Sequence, residues 1–238
     1  MAYLEFIDDE ILIEAVNKVF TKSKAAKDKI DEESFHKNVI DPFSAAFDMA
    51  VNEIDIFEWE EKERIRQAQK TMQNAIGDFH QELVGAIEGW TDLGKGGLID
   101  VVNEDQKIIA EVKNKFSTVS GGKLIDHYKE FSELIHKKKN EYFGYTAYFV
   151  TLLPKNSNPL NEPFTPSDKT TDGSAPLDER IRIIDGKSFY EMITGRPDAF
   201  LELLEAIPAV ISQKLSNSVQ FEVADTDGLK GYFNRAFD

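Results

Sequence analysis

The chain contains no cysteine. That excludes disulfides, a thiolate nucleophile and cysteine-ligated zinc, and it fits a cytoplasmic location. No stretch approaches the roughly 18 consecutive apolar residues of a membrane span, so no membrane partner is expected. The opening MAYLEFIDDE turns acidic early and lacks a basic segment followed by an apolar one, so it does not read as a secretory signal. Histidine is scarce. His36, His80, His127 and His136 are not paired at metal-ligand spacing, and HExxH is absent. His127 reads as a packed or exposed helix residue and not as a catalytic base. The glycine cluster GKGG at 94–97 lacks the Walker spacing and its Lys-Ser/Thr ending. No nucleotide cofactor is therefore expected.

Positive charge is also in short supply. The net charge is −15, which taken globally argues against a nucleic-acid partner. Its distribution is uneven. Residues 107–187 hold 13 Lys/Arg against 11 Asp/Glu, while the rest of the chain holds 15 against 32. The acidity belongs to the flanks, and a locally positive cleft is compatible with it. The 238 residues allow one large domain or two small ones, with enough chain to bury a substantial core.

The first part of the chain is helical in pattern. DDEILIEAVNKVF (8–20) has helical apolar spacing behind two acidic residues suited to a helix start. Residues 31–56 read as helical with a break near Asp41-Pro42. Residues 57–89 read as one long helix with a stripe of Ile65, Ala68, Met72, Ala75, Ile76, Phe79 and Leu83. Gly94, Gly96 and Gly97 end this half. Strands are expected at about 98–102 and 107–115, then a helix at about 121–141 with Leu124, Tyr128, Phe131 and Ile135 inward. YTAYFVTLL (145–153) is apolar nearly throughout, as central strands covered on both faces are. Phe131, Tyr142, Phe143, Tyr145 and Tyr148 are assigned to the core. A proline-rich stretch (154–179), a strand RIRIID (180–185) and helices from about 187 and over 197–214 complete the pattern, with Pro197 placed at the start of the last. This order predicts an α/β fold built on a mixed sheet. A single domain over 1–238 is expected: a mostly helical part at 1–96, a core at 97–153, a loop and strand at 154–187, and a helical part at 188–238.

The most informative segment is GLIDVVNEDQKIIAEVKNK (97–115). Its two apolar runs are joined by a polar turn, yet they carry Asp100, Glu111 and Lys113. With Asn103 opposite Gln106, Asp100 lies opposite Ile109 and shares a face with Glu111 and Lys113. Asp100 and Glu111 are then diagonal neighbours, with Cβ atoms roughly 7 Å apart. Two carboxylates so placed can hold one Mg²⁺, with the lysine beside it. Such a trio suits phosphodiester hydrolysis. A solvated surface hairpin carrying one aspartate and a Glu–Lys pair satisfies the same pattern. A turn one residue longer or shorter moves Asp100 to the other face.

Asp100, ten residues, then Glu111-Val112-Lys113 resembles the PD-(D/E)XK nuclease signature. The preceding GKGG, the following EVKNKFSTVSGGK, and later NEPFTPSD (161–168) and IRIIDGKSFYEMITG (181–195) resemble type II restriction endonucleases that cleave GGNCC-type sites. The similarity spans about residues 74–195. It departs at Ile99, where the signature has proline. The resemblance implies a restriction-endonuclease-like mixed β-sheet flanked by α-helices. It implies Asp100 and Glu111 as ligands of Mg²⁺, a backbone carbonyl from Val112, and Lys113 as the catalytic lysine. It also implies a glutamate on the helix before the hairpin, for which Glu82 is the first candidate and Glu88 the second. Double-stranded DNA is the implied substrate, cut to 5′-phosphates. A palindromic site implies a two-fold homodimer. Two other readings stand beside it: a PD-(D/E)XK repair or recombination nuclease that selects DNA structure, and a non-catalytic interaction protein.

The loop at 154–179 is longer than structureless loops usually are, and its five prolines favour an ordered arm. Candidate DNA contacts are Asn161, Thr165, Ser167, Lys169, Arg180 and Arg182, whose groups suit base edges and phosphates. Arg180 and Arg182 fall on one face of their strand, opposite Ile181 and Ile183; an ion pair with Asp178 or Glu179 suits them equally. Ser117, Thr118 and Lys123 are placed to hold the DNA backbone. The run Lys137–Lys139 reads first as a solvated helix end.

Overall fold

The computed structural model describes residues 2–28, 35–94, 96–119, 121–171, 173–215 and 220–237. Lys95 of GKGG and residues 31–34, at the start of an expected helix, lie outside the described residues. Along the chain run α1 (Asp9–Asp28), α2 (Pro42–Asn52), α3 (Ile56–Ala86), β1 (Thr91–Asp92), β2 (Val101–Asn103), β3 (Ile108–Lys115) and α4 (Gly121–His136). These are followed by β4 (Thr146–Leu153), β5 (Asn161–Pro163), β6 (Ser167–Asp168), β7 (Gly173–Ser174), β8 (Ile181–Asp185), α5 (Gly186–Thr194), α6 (Ala199–Val210) and α7 (Val223–Phe237). The chain forms two compact units, Val16–Phe79 and Met1–Ala15 with His80–Asp238.

The larger unit is built on a six-stranded sheet in the order β1-β2-β3-β4-β8-β5. β3, β4 and β8 are parallel, and β1, β2 and β5 pair antiparallel at the flanks. The sheet is thus mixed and carries helices, as the sequence pattern predicts. β4 lies in its middle, and its six inner residues are all buried. One face packs Ile109, Ala147, Phe149 and Ile181 against Ile125, Tyr128, Phe131 and Ile135 of α4. On α4 these four follow the helical spacing that puts them on one side. The other face meets α5. There Gly186 comes so close to β4 that a Cβ would stand 2.5 Å from the Leu152 carbonyl oxygen.

Several boundaries differ from those expected. α4 ends at His136 and not near 141, because Gly144, at φ +84, folds back and donates its N–H to the Ile135 carbonyl. Lys137–Lys139 therefore lie in a turn, and Phe143 is exposed there, whereas Phe131 and Tyr148 are buried. α6 begins after Pro197, with Asp198 as its N-cap residue. The stripe expected on α3 holds only in its second half. Ala75, Phe79 and Leu83 are buried, but Ile65 and Met72 are exposed. In the first half the buried positions are Trp59, Glu63 and Gln67, spaced by four. The two polar side chains are tolerated there because Arg66 forks onto Glu63 and Gln67 bonds Glu63 and the Phe35 carbonyl. With Phe35 and Ala45, Trp59 makes the small core of the unit Val16–Phe79.

The proline-rich segment is ordered where it is described. β5 pairs with β8, and β6 with β7. Phe164 and Ala175 enter the main core from it. The Phe164 ring stacks on Phe149 at 5.1 Å, and the Tyr128 hydroxyl donates to the Pro176 carbonyl at 2.7 Å. These contacts fix the arm to α4 and β4. Phe164→Ala should destabilise the protein by about 3 kcal/mol, measured by urea unfolding, and should speed proteolysis within 154–179. A loss well under that value with unchanged proteolysis would mean the arm is held by something else.

Candidate active site

The site follows from strand register. On the α4-covered face, neighbouring residues of β3, β4 and β8 form rows. Ile109, Ala147 and Ile181 make an apolar row, then come Glu111, Phe149 and Ile183, then Lys113, Thr151 and Asp185. The face changes from apolar to polar toward the carboxyl ends of the parallel strands. Open α/β sheets bind their ligands beyond those ends.

The hairpin brings Asp100 to the same place by a register other than the one expected. Val101 pairs with Ala110 and Asn103 with Ile108, so the β2–β3 loop is four residues, Glu104–Lys107. Asn103 and Gln106 do meet, but through the Asn103 side chain, which accepts the Gln106 N–H at 2.9 Å. The shift is two positions, an even number, so every side chain keeps its face. Ile109 pairs with Val102, and Asp100, just before β2, lies beside Ala110 and Val112. Its N–H donates to the Ala110 carbonyl, and its Oδ2 accepts the Val112 N–H at 2.7 Å. The Asp100 carboxylate is thus fixed against β3 by the Val112 N–H.

Lys113 Nζ contacts Glu111 Oε1 directly and stands 3.9 Å from Asp100 Oδ2. Exposure is graded: the Glu111 side chain is 8% exposed, Asp100 19% and Lys113 24%. Glu111 Oε2 is buried and has no hydrogen-bond partner among the described residues. Burial, and next the Asp100 charge, push the Glu111 carboxyl up to about 7, against the opposing pull of Lys113. With both carboxylates ionised the trio would carry a charge of −1, and Glu111 keeps an orphaned buried oxygen. A hard divalent cation answers both, and the donors are the oxygens it prefers. Val112 stands between Glu111 and Lys113 of β3 with its side chain buried. Among the described residues no three His, Asp or Glu side chains gather as a metal cluster. The carboxylate pair, with backbone and solvent, could hold an ion here.

Glu82 is half-buried near the end of α3, and Glu88 is exposed beyond it. The neighbour of Glu82, Gln81, has a role that residue type alone does not reveal. Its amide donates to Asp92 Oδ1 at 2.8 Å and to the Gly94 carbonyl at 3.1 Å. That clamps α3 to β1, the strand beside Asp100. Gly85 permits the approach, since a Cβ there would meet Asp92 at 2.5 Å. His127, on α4, is packed: its ring lies 5.4 Å from that of Phe149. Its Nδ1 is buried with no hydrogen bond among the described residues, and Glu130 is 3.5 Å away. Burial lowers its proton affinity; Glu130 raises it, and Lys113 and Asp100 also act on it. The imidazole therefore sits within electrostatic reach of the trio.

The other candidates divide into groups. Ser117 and Thr118 form a short exposed turn directly after β3, where Thr118 Oγ1 accepts the Lys115 N–H, and Lys123 is exposed on the first turn of α4. Thr165, Ser167 and Lys169 are exposed along the arm. Arg182 lies on the sheet face opposite Glu111, beside Tyr148, and binds Asn161 twice and Glu179. Arg180 donates to His136 Nδ1 at 2.8 Å, and His136 Nε2 faces Asp178 at 2.6 Å. Both arginines are held by the strand's own acidic neighbours, directly or through histidine.

Because the folded Glu111 carboxyl is raised from 4.5 toward 7, its contribution to stability is complete below pH 4.5 and is lost as pH rises to about 7. In chelator-treated protein, the melting-temperature advantage of Glu111→Gln over wild type should grow between these pH values and level off above them. A difference that is constant with pH would contradict the assignment.

Three comparisons bear on this geometry. The family model described as Eco47II restriction endonuclease matches residues 4–216. The type II restriction enzyme Eco47II of Escherichia coli is 47% identical over 240 residues, covering 100% of both chains. The type II restriction enzyme Sau96I of Staphylococcus aureus is 35% identical over 212 residues, covering 88% of this chain and 80% of its own. With the family model spanning most of the chain and a relative matched end to end, the chain belongs to the Eco47II restriction endonuclease family and is a type II restriction enzyme.

Proposed function

We propose that this enzyme hydrolyses double-stranded DNA in a Mg²⁺-dependent reaction at a short palindromic site of GGNCC type, leaving 5′-phosphates, and that it acts as a homodimer in the cytoplasm without a nucleotide cofactor. The observation that carries the chemistry is the pairing of Asp100 and Glu111 beside Lys113, with one Glu111 oxygen buried and unsatisfied. No helix among the described residues is long and apolar enough to cross a membrane.

Asp100, Glu111 and the Val112 carbonyl are the groups we assign to the ion. A divalent cation so held supplies Lewis acidity at a phosphoryl oxygen and a more acidic bound water. The residues themselves do the rest. Asp100 is oriented by the Val112 N–H, so its second oxygen is left for a ligand. The Lys113 ammonium, partly solvent-exposed, stabilises negative charge that grows on the phosphate oxygens. Glu111, whose carboxyl is held high by burial and by Asp100, would offer its oxygens to the ion in the ionised form. Glu82, on the helix clamped to β1 through Gln81, is the proposed additional acidic group. Ser117, Thr118 and Lys123, at the carboxyl end of β3 and the start of α4, hold the phosphodiester backbone. Thr165, Ser167 and Lys169 on the anchored arm, with Asn161, Arg180 and Arg182, form the base-reading set. The Arg182–Asn161 pair is preorganised, which lowers the cost of ordering long side chains on binding.

Sequencing the ends of plasmid fragments produced in Mg²⁺ buffer tests this reading. Discrete fragments sharing one short two-fold symmetric sequence are expected; a smear or cutting confined to branched DNA would refute it. Lys113→Ala should reduce cleavage at least about a hundred-fold, and Asp100→Asn, which still offers an oxygen to the Val112 N–H, should abolish it in a folded protein. Undiminished cutting by both variants would dismiss the site assignment.

A further inference from the structure

The unit Val16–Phe79 carries an apolar surface that the catalytic assignment does not use. α2, PFSAAFDMAVN, is apolar on two sides. Ala45 and Met49 face inward, onto the small core with Phe35 and Trp59. Phe43, Ala46, Phe47, Ala50 and Val51 fall at i, i+3, i+4, i+7 and i+8, which is one continuous face. All five are exposed. Phe43 is 77% exposed, Phe47 74% and Val51 81%. Phe57, on the first turn of α3 in the same unit, is 77% exposed. The helix contains one acidic residue, Asp48, and no basic one.

A helix that only needs solvent on its outer side has no use for two phenylalanines and a valine there. We propose that this face of α2 is the surface through which two copies of the chain associate. The inference rests on the homodimer reading above and adds to it where the copies meet. Three observations select a second copy as the occupant. A two-fold interface must be complementary to itself. An uncharged apolar face meets that condition, whereas two acidic surfaces of a chain with net charge −15 repel. Large and small residues alternate along the face, Phe43, Ala46, Phe47, Ala50 and Val51, so the ridges of one helix can seat in the gaps of its mate. The area is also adequate. Phe43 and Phe47 amount to roughly 300 Å², and Val51 with the two alanines extends the surface toward the roughly 800 Å² per partner of a standard interface.

The test is sedimentation of the full-length chain, alone and with cognate DNA. Wild type should run at twice its 27.0 kDa mass. Phe43→Glu/Phe47→Glu should run as a monomer with unchanged far-ultraviolet circular dichroism, its dimer dissociation constant raised at least about a hundred-fold. Because the chain has no cysteine, Ala46→Cys and Ala50→Cys supply a second readout that does not require disrupting the surface. A short bismaleimide should join copies through one or both, and not through a cysteine placed at exposed Glu88. A wild type that is monomeric and cuts as a monomer would overturn the homodimer reading itself. A dimer that survives the double substitution and gives no cross-link at either alanine would leave that reading standing and overturn this location. Loss of stability without change of mass would mean the face is covered by the chain's own residues, which also overturns it.

Discussion

A glutamate carboxylate buried against an aspartate is unfavourable on its own, because burial removes hydration and the neighbour adds repulsion. In this enzyme Lys113 offsets part of that cost but leaves Glu111 Oε2 without a partner among the described residues. The remainder of the larger unit is arranged so that this unfavourable group persists. Phe149 of β4 pairs beside it, on the sheet face that α4 covers, and the Val112 N–H pins Asp100 in place. Ladder pairing on both sides of β3 prevents retreat to solvent. Strain of this kind is typical of sites that wait for a ligand.

The polar row arises from a simple rule applied three times. β3, β4 and β8 run parallel and in register, so one change from apolar to polar along each strand produces one polar edge across the sheet. Lys113, Thr151 and Asp185 stand in one row, yet they do different work. Asp185 caps α5 through the Ser188 N–H and holds the Leu160 N–H, so it fixes the base of the arm. Lys113 faces the carboxylates. The proposed chemistry and the arm are therefore tied to the same sheet edge, and the arm's order depends on Phe164 in the core as much as on its own prolines.

The sequence made much of this legible for identifiable reasons. β4 is apolar on both sides, and only a central strand needs that. Asp100, Glu111 and Lys113 are charged where a core strand would not be, and their parity survives an error of two in the hairpin loop. Residue types do not reveal the loop length, because Asn103 accepts the Gln106 N–H with its side chain and not through backbone pairing. Other features depend on contacts that periodicity does not encode. The inward Glu63 and Gln67 are satisfied by Arg66, by Asn38 and by the distant Phe35 carbonyl, so apolar periodicity alone does not mark the inward face of the first half of α3. Gln81 looks like any surface glutamine until β1 is placed beside it. Arg182 and Asn161 are twenty-one residues apart and meet only because β5 pairs with β8.

The account rests on Asp100 and Glu111 jointly holding one divalent cation, and calorimetric titration of the DNA-free protein tests that most directly. Titration with Mn²⁺ in two buffers of different ionisation enthalpy reads both binding and proton release. Near pH 6.5 wild type is predicted to bind with release of a proton, supplied by the raised Glu111 carboxyl, and Asp100→Asn and Glu111→Gln are predicted to bind no ion. Undiminished binding by both variants would contradict the account.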